Sequence, residues 1–419
     1  MRLGGIDGAL IIDFMKDKPA HATIKGGVTA PAGFLATSIY CGIKASNPSR
    51  EDIALIFSES PAVAAGTFTT NMVKAAPVLA SIANLRAPGT RAIIVNSGNA
   101  NACTGPVGLA AAQRMCLATA AALGLKEREI LVCSTGRIGV QLPIEKMEAS
   151  IAQLPARLGK QSRAAAKAIM TSDSFPKETA VEVEIGGKPV RIGGIAKGAG
   201  MIDPNMATML SFVTTDAAIG KADLAKALRA SVGQSFNRIT VDGDMSTNDT
   251  VLALANGRAG NPVLKFGSAD FAIFQSALDQ VTAALARMIV KDGEGVSRFV
   301  DLHVTGARTD AEARLAARAV ANSILVKCSW YGGDPNWGRI IDAVGYSGAR
   351  ICEERVRISY NGLPAVIDGM AAATPAARLQ AVARKKEFTV TVDLGTGNGT
   401  HRIWTTDLTT KYVDFNMGE

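Results

Sequence analysis

Aromatic side chains are scarce in this chain, at 5% of 419 residues. A groove for single-stranded nucleic acid stacks bases on aromatics along a basic track. The track is missing too: the net charge is +8, but no basic run exceeds Arg384-Lys385-Lys386. The charge is therefore diffuse, and no nucleic-acid partner is expected. It would suit anionic amino-acid substrates. Long apolar runs are also lacking. No stretch reaches the roughly 18 uninterrupted apolar residues of a membrane helix, so no membrane partner is expected. Asp7 and Asp13 surround the short apolar run near the N-terminus, which does not read as a signal peptide.

Histidine and paired cysteine are sparse as well. His21, His303 and His401 are scattered, with neither zinc spacing nor a Ser-His-Asp signature. The six cysteines, Cys41, Cys103, Cys116, Cys133, Cys328 and Cys352, contain no Cys-x-x-Cys pair, and most stand in apolar contexts. That pattern predicts reduced, buried thiols and a cytoplasmic protein. Asp242, Asp244 and Asp249 form an acidic loop, but it lacks the glycine and final glutamate of an EF-hand, so no metal is expected.

What the chain does hold is a large apolar fraction, 47%, with 20% charge and 42 glycines. This is the profile of a sizeable α/β core with frequent turns. Residues 1–90 read as short strands and turns, including Asp52–Phe57. Arg91–Asn96 is a buried strand, followed by an Ala-rich helix at 107–123 and a second strand, Glu129–Cys133. Helices are predicted at 143–154, 161–171, 221–235 and 309–324, and strands at 299–305, Val390–Gly395 and Arg402–Trp404. Val181–Ile185 and Val190–Ile192 alternate as a hairpin. From Ser268 to Lys291, Phe271, Phe274, Leu278, Val281, Leu285 and Met288 recur at helical spacing and mark a core helix. Gly395, Gly397 and Gly399 read as a hairpin tip. No Gly-x-Gly-x-x-Gly opens a helix after a strand, so a dinucleotide fold is not supported.

Near the middle lies Lys197-Gly198-Ala199-Gly200-Met201-Ile202-Asp203-Pro204-Asn205-Met206-Ala207-Thr208-Met209-Leu210. The glycines and Pro204 make a tight loop. It feeds Met209–Thr215, a buried strand. Thr208 stands at the joint. A threonine hydroxyl there can attack the preceding carbonyl in an N→O shift, and hydrolysis of the ester leaves Thr208 as a new N-terminus. Its α-amine, with an ordinary pKa of roughly 7.7–8.0, can then serve as base for its own hydroxyl. On residue types alone, a plain strand threonine on a pleated surface is the favoured reading.

This segment closely resembles the self-cleavage segment of the ornithine acetyltransferase family, the glutamate N-acetyltransferases of arginine biosynthesis. The resemblance runs from Gly27 to Asn416, with further words at Gly66–Asn71, Ser134–Gly139, Phe236–Thr250 and Gly333–Ile340. It implies an αββα sandwich with the chemistry of N-terminal-nucleophile hydrolases. It implies cleavage between Ala207 and Thr208 into fragments 1–207 and 208–419, assembled as a heterotetramer. The matching residues give an oxyanion hole of Thr135 and Gly136 and substrate contacts at Thr171, Lys197, Thr208, Glu294 and Asn416. N2-acetyl-ornithine would be the donor and glutamate the acceptor. No cofactor is implied, with acetyl-CoA left open as a second acetyl donor. A hydrolase or amidase using the same acyl-enzyme, and an uncleaved amino-acid-binding protein, remain as alternatives. Four departures stand out: Arg137 replaces a small apolar residue, Val140 replaces a common Glu, Ser297-Arg298 replaces a usual Thr-Lys, and no closing Thr follows Asn416. The last bears on donor and acceptor preference.

Overall fold

The structure is a computed structural model that describes residues 21–44, 50–203 and 209–417. The first unit contains strands β1 (Ala22–Ile24), β2 (Phe34–Ile39), β3 (Ile53–Phe68), β4 (Thr90–Asn96), β5 (Ile130–Ser134), β6 (Lys177–Ile185), β7 (Lys188–Lys197), β8 (Leu210–Thr215) and β9 (Thr250–Ala255). Its helices are α1 (Ala76–Asn84), α2 (Gly105–Leu123), α3 (Ile144–Ile151), α4 (Ser162–Ala168), α5 (Lys221–Gln234) and α6 (Ala269–Lys291).

Among the described residues these strands form one nine-stranded sheet, ordered β1-β6-β7-β8-β9-β3-β4-β5, with β2 also on β3. The long β3 folds it over. Its first half pairs with β2 and β4 and its second half with β9, and the register slips between Phe57 and Ala62. Pro61 sits in that slip, where a missing N–H costs no ladder bond.

Two layers result, and strand alternation shows how they pack. Ile93, Val95, Leu131 and Cys133 from one layer meet Leu210, Phe212, Leu252 and Leu254 from the other. The opposite faces are covered by helices. Ile94, Ile130 and Val132 pack on α1, α2 and α3. Val181, Val183, Val213 and Val251 pack on α5 and α6. The order is helix, sheet, sheet, helix: an αββα sandwich. Strands buried on both faces read as continuous apolar runs, as Arg91–Asn96 and Glu129–Cys133 do. Helix α2 is long and apolar enough to cross a membrane by length and composition. Here one stripe of it, including Ala112, Met115 and Cys116, is buried in the core under sheet and helices.

The second unit begins after Ser297. It holds β10 (Phe299–Ala307), α7 (Asp310–Asn322), α8 (Ile324–Tyr331), α9 (Trp337–Gly345), β11 (Arg357–Tyr360), β12 (Leu363–Ile367), β13 (Met370–Ala371), α10 (Ala376–Ala383), β14 (Glu387–Asp393), β15 (Gly399–Thr406) and α11 (Thr410–Asn416). Its sheet runs β13-β12-β11-β14-β10-β15. One face of that sheet shares a core with α7, α8, α9 and α10.

Several expectations need correction. Residues 1–90 contain a 16-residue strand and α1, not only short pieces. The helix expected to reach residue 171 ends at Ala168, and the one expected over 309–324 breaks at Ser323, which caps a new helix. Gly395–Gly399 is not a hairpin tip, because β10 lies between β14 and β15. The segment instead crosses the end of β10, where a Cβ on Gly397 would stand 2.6 Å from the Ala307 carbonyl oxygen. Of the six free cysteines only Cys116 and Cys133 are buried; Cys103 and Cys328 are exposed.

The packed units divide near residue 297. The expected fragments, 1–207 and 208–419, cut across the first unit: β7 pairs with β8 in register Lys197↔Leu210, and β8 runs parallel to β9.

Candidate active site

The candidate site forms where β5 and β7 end and β8 and β9 begin. Strand β5 runs into Ser134-Thr135-Gly136. Gly136 has φ 130°, and a Cβ there would lie 2.7 Å from the Asn99 backbone nitrogen, so glycine is required. Asparagines hold this loop from below. Asn96 Nδ2 donates to Ser134 Oγ (2.6 Å), and Asn248 Nδ2 donates to the carbonyls of Ala100 (2.6 Å) and Ser134 (2.8 Å).

Lys197 closes β7 and is 8% exposed. Its ammonium donates to Thr135 Oγ1 at 3.2 Å. With a lone pair of Thr135 so occupied, the hydroxyl proton is directed to another acceptor, as an oxyanion donor requires. Burial lowers the Lys197 pKa, and Asp173 opposes that fall.

Thr171 follows α4. Its N–H donates to Asp173 Oδ2 (2.9 Å), and Arg50 Nη1 donates to its carbonyl (3.0 Å). Next door, Lys44 Nζ donates to Ser97 Oγ (2.7 Å) and the Met170 carbonyl (2.6 Å). Burial, reinforced by Arg50, lowers the Lys44 ammonium to about 7. Asp173 also accepts from the Gly198 N–H (2.7 Å) and from Lys177 (2.6 Å). Burial would raise its carboxyl, but Lys197 and Lys177 beside it hold the pKa at about 2.

Glu294 lies three residues past the end of α6. Its N–H donates to the Ala199 carbonyl (3.0 Å), and its Oε2 accepts from Asn416 Nδ2 (3.1 Å) at the end of α11. Gly200 makes the room: a Cβ there would stand 2.3–2.4 Å from the Glu294 carboxyl. The structure thus brings Thr135, Gly136, Thr171, Lys197, Glu294 and Asn416 into one connected set. Ala207 and Thr208 lie outside the described residues. Their described flanks are anchored. Asp242 accepts from the N–H groups of Met201 (2.6 Å) and Ile202 (2.8 Å), and Asp203 is bound by Arg318 and Asn322. On the other side, the Met209 carbonyl accepts from the Thr250 N–H (3.0 Å).

Sequence reasoning missed four members. Asp173, Lys177 and Asp292 form a buried ionic group. Asp249 was weighed only as a metal ligand. It is 1% exposed, with hydrogen bonds from the Met209 N–H and from Ser246, and burial pushes its carboxyl well above the usual range. Its Oδ2 has no hydrogen-bond partner among the described residues. Asp242 and Asp249 thus both accept from backbone N–H groups. Among the described residues no group of three His, Cys, Asp or Glu is arranged to hold a metal ion.

An αββα protein with a buried lysine, a Thr-Gly loop and an acid-amide pair at one strand edge matches known proteins closely. Residues 35–418 match the ArgJ family. The arginine biosynthesis bifunctional protein ArgJ of Geobacter sulfurreducens is 51% identical over 386 residues, covering 92% of this chain and 98% of that protein. Its namesake in Symbiobacterium thermophilum is 48% identical over 394 residues, covering 94% and 98%. A crystal structure of Mycobacterium tuberculosis ornithine acetyltransferase, complexed with ornithine, is 44% identical at TM-score 0.41, covering 44% of this chain and 99% of that one. This chain belongs to the ArgJ family of arginine-biosynthesis enzymes.

Proposed function

We propose that this protein moves an acetyl group from N2-acetyl-ornithine to glutamate through an acetyl ester on Thr208. The observation that carries the reading is the Thr135–Lys197 contact, set beside Glu294 and Asn416 at the strand edge that leads into the Thr208 segment.

The enzyme first processes itself. Thr208 Oγ attacks the Ala207 carbonyl, the peptide C–N bond gives way to an ester, and water cleaves that ester. Ala207 keeps a carboxylate and Thr208 a free α-amine. Fragments 1–207 and 208–419 stay together because β7, β8, β9 and β3 share one sheet, and pairs of them form a heterotetramer.

In the transfer, Thr208 Oγ bonds to the acetyl carbon while its proton passes to the α-amine. Thr135 and Gly136 receive the oxyanion. The amide C–N bond breaks, and the departing ornithine nitrogen takes the proton back. Glutamate then attacks the ester with its amine, and Thr208 Oγ leaves protonated. Donors aimed at the developing charge are typically worth about 2.7–4 kcal/mol each. Glu294, with Asn416, holds a substrate ammonium; Lys197 and Thr171 hold the carboxylate end. Acetyl-CoA as a second acetyl donor belongs to the same proposal, as does a cytoplasmic place among the biosynthetic enzymes.

Product analysis tests the reading. N2-acetyl-ornithine with glutamate is expected to yield ornithine and N-acetylglutamate in equal amounts. Acetate released at the same rate without glutamate would make the protein a hydrolase instead.

A further inference from the structure

Lys177 opens β6 opposite Ala196 of β7, one residue from Lys197. Its side chain is fully buried, as is that of Asp173; that of Asp292 is 3% exposed. The ammonium lies 2.6 Å from Asp173 Oδ1 and also donates to Asp292 Oδ2, with the Phe175 ring centroid at 4.9 Å. No part of it reaches solvent, so it cannot touch a substrate.

What it reaches is the backbone of three substrate loops. Asp173 takes the N–H groups of Thr171 and Gly198. Asp292 caps the C-terminal end of α6, two residues before Glu294, and takes the Ser174 N–H (3.1 Å) and hydroxyl. The Glu294 N–H closes the circuit on Ala199. A buried ion pair is poor value as a source of stability, since apolar residues of the same volume often do as well or better. Its attested use is to fix register. The four charges here, two aspartates with Lys177 and Lys197, also sum to zero, which keeps Lys197 beside a balanced partner.

We propose that Lys177 is a positioning residue for both substrates: one buried cation that sets the spacing of the Thr171, Lys197 and Glu294 loops. The proposal rests on the acetyl-transfer reading for which loops hold substrate. It requires that loss of Lys177 weaken the grip on an amino acid at both ends, without removing any group from the reacting atoms.

The test uses the full chain with Lys177→Met and Asp292→Asn. The readouts are KM for donor and for acceptor, kcat, and ornithine affinity by calorimetry. Lys177→Met is expected to raise both KM values about tenfold or more while kcat changes by less than about threefold, the signature of lost uniform binding. Asp292→Asn, which keeps the Ser174 hydrogen bonds, moves KM the same way by less. Lys177→Arg, able to donate to both carboxyls, recovers part of the affinity. Variants with both KM values within about twofold of the parent, whatever their melting temperatures, overturn the proposal; so does a loss confined to kcat. If Lys177→Met fails to fold, Asp292→Asn decides. A parent that binds ornithine but transfers no acetyl group would refute the functional reading alone, and the ornithine affinities would still judge Lys177.

Discussion

The Lys197 ammonium donates to Thr135 Oγ1 across 3.2 Å, tying the end of β7 to the loop that leaves β5. The contact orders the site before any substrate arrives. It saturates one side of the hydroxyl with a donor and leaves the proton free for another acceptor. It also gives a buried lysine a polar partner that is 62 residues away in sequence.

Thr135→Ala is expected to lower kcat by about 10²–10³, with KM little changed, because the lost donor acts on the transition state. Thr135→Ser retains most of the rate. Steady-state kinetics on both variants checks this; a change confined to KM would make Thr135 a substrate contact only.

Gly200→Ala should mimic damage to Glu294. The added methyl would meet the Glu294 carboxyl at 2.3–2.4 Å and displace it. Glu294→Gln is expected to raise KM for the amine-bearing substrate about 10- to 100-fold, in line with the roughly 1.5–3 kcal/mol of a hydrogen bond to a charged group. Gly200→Ala then raises it comparably, and the double variant is no worse than the worse single one. Additive losses would show that Gly200 serves some other contact.

The strands and the core helix were legible because burial on both faces, or on one helical stripe, leaves a local imprint. Ile93–Val95, Leu131–Cys133 and the Phe271–Leu285 stripe are of this kind; past Leu285 the stripe continues at Ile289 rather than at the expected Met288, which is half-buried. The residues named through resemblance, Thr135, Gly136, Thr171, Lys197, Glu294 and Asn416, lie together in one connected set, and their roles belong to the proposal. The ionic group was not legible. Asp173 and Lys177 are four residues apart, but Asp292 lies 115 residues beyond Lys177, and no local pattern announces that they meet. Gly200 was expected to serve by its backbone freedom, yet its φ is unexceptional; it is small to make room for Glu294. The glycines at 395–399 misled for a related reason. They suit a tight turn, and only the insertion of β10 turns them into a crossing.

Asp249 predicts a pH-dependent stability difference. Burial raises its folded-state pKa above the unfolded value near 3.8. The folded state therefore binds more protons than the unfolded one as pH rises through that window, and stability falls with pH. Asn cannot ionise. The melting temperature of Asp249→Asn minus that of the parent is expected to grow from about pH 4 upward. A difference independent of pH would mean that Asp249 is charged in the folded protein.

Surface chemistry offers a simpler check on the fold. Cys103 and Cys328 are exposed, whereas burial pushes the Cys116 thiol up to about 12 and raises that of Cys133 further. Brief alkylation of the native protein at neutral pH, followed by peptide mapping, is expected to mark Cys103 and Cys328 and spare Cys116 and Cys133. Early labelling of Cys133 would contradict its place between the two sheet layers.

The central claim is that Thr208 becomes an N-terminus and then carries the acetyl group. Intact mass under denaturing conditions, before and after brief exposure to N2-acetyl-ornithine without acceptor, tests it directly. The account predicts two fragments, with the second beginning Thr-Met-Leu-Ser. Only that second fragment becomes heavier by one acetyl group, and glutamate removes the increment. Thr208→Ala gives one uncleaved chain that gains nothing. A purified, fully active protein that remains a single 43.5 kDa species would contradict the account.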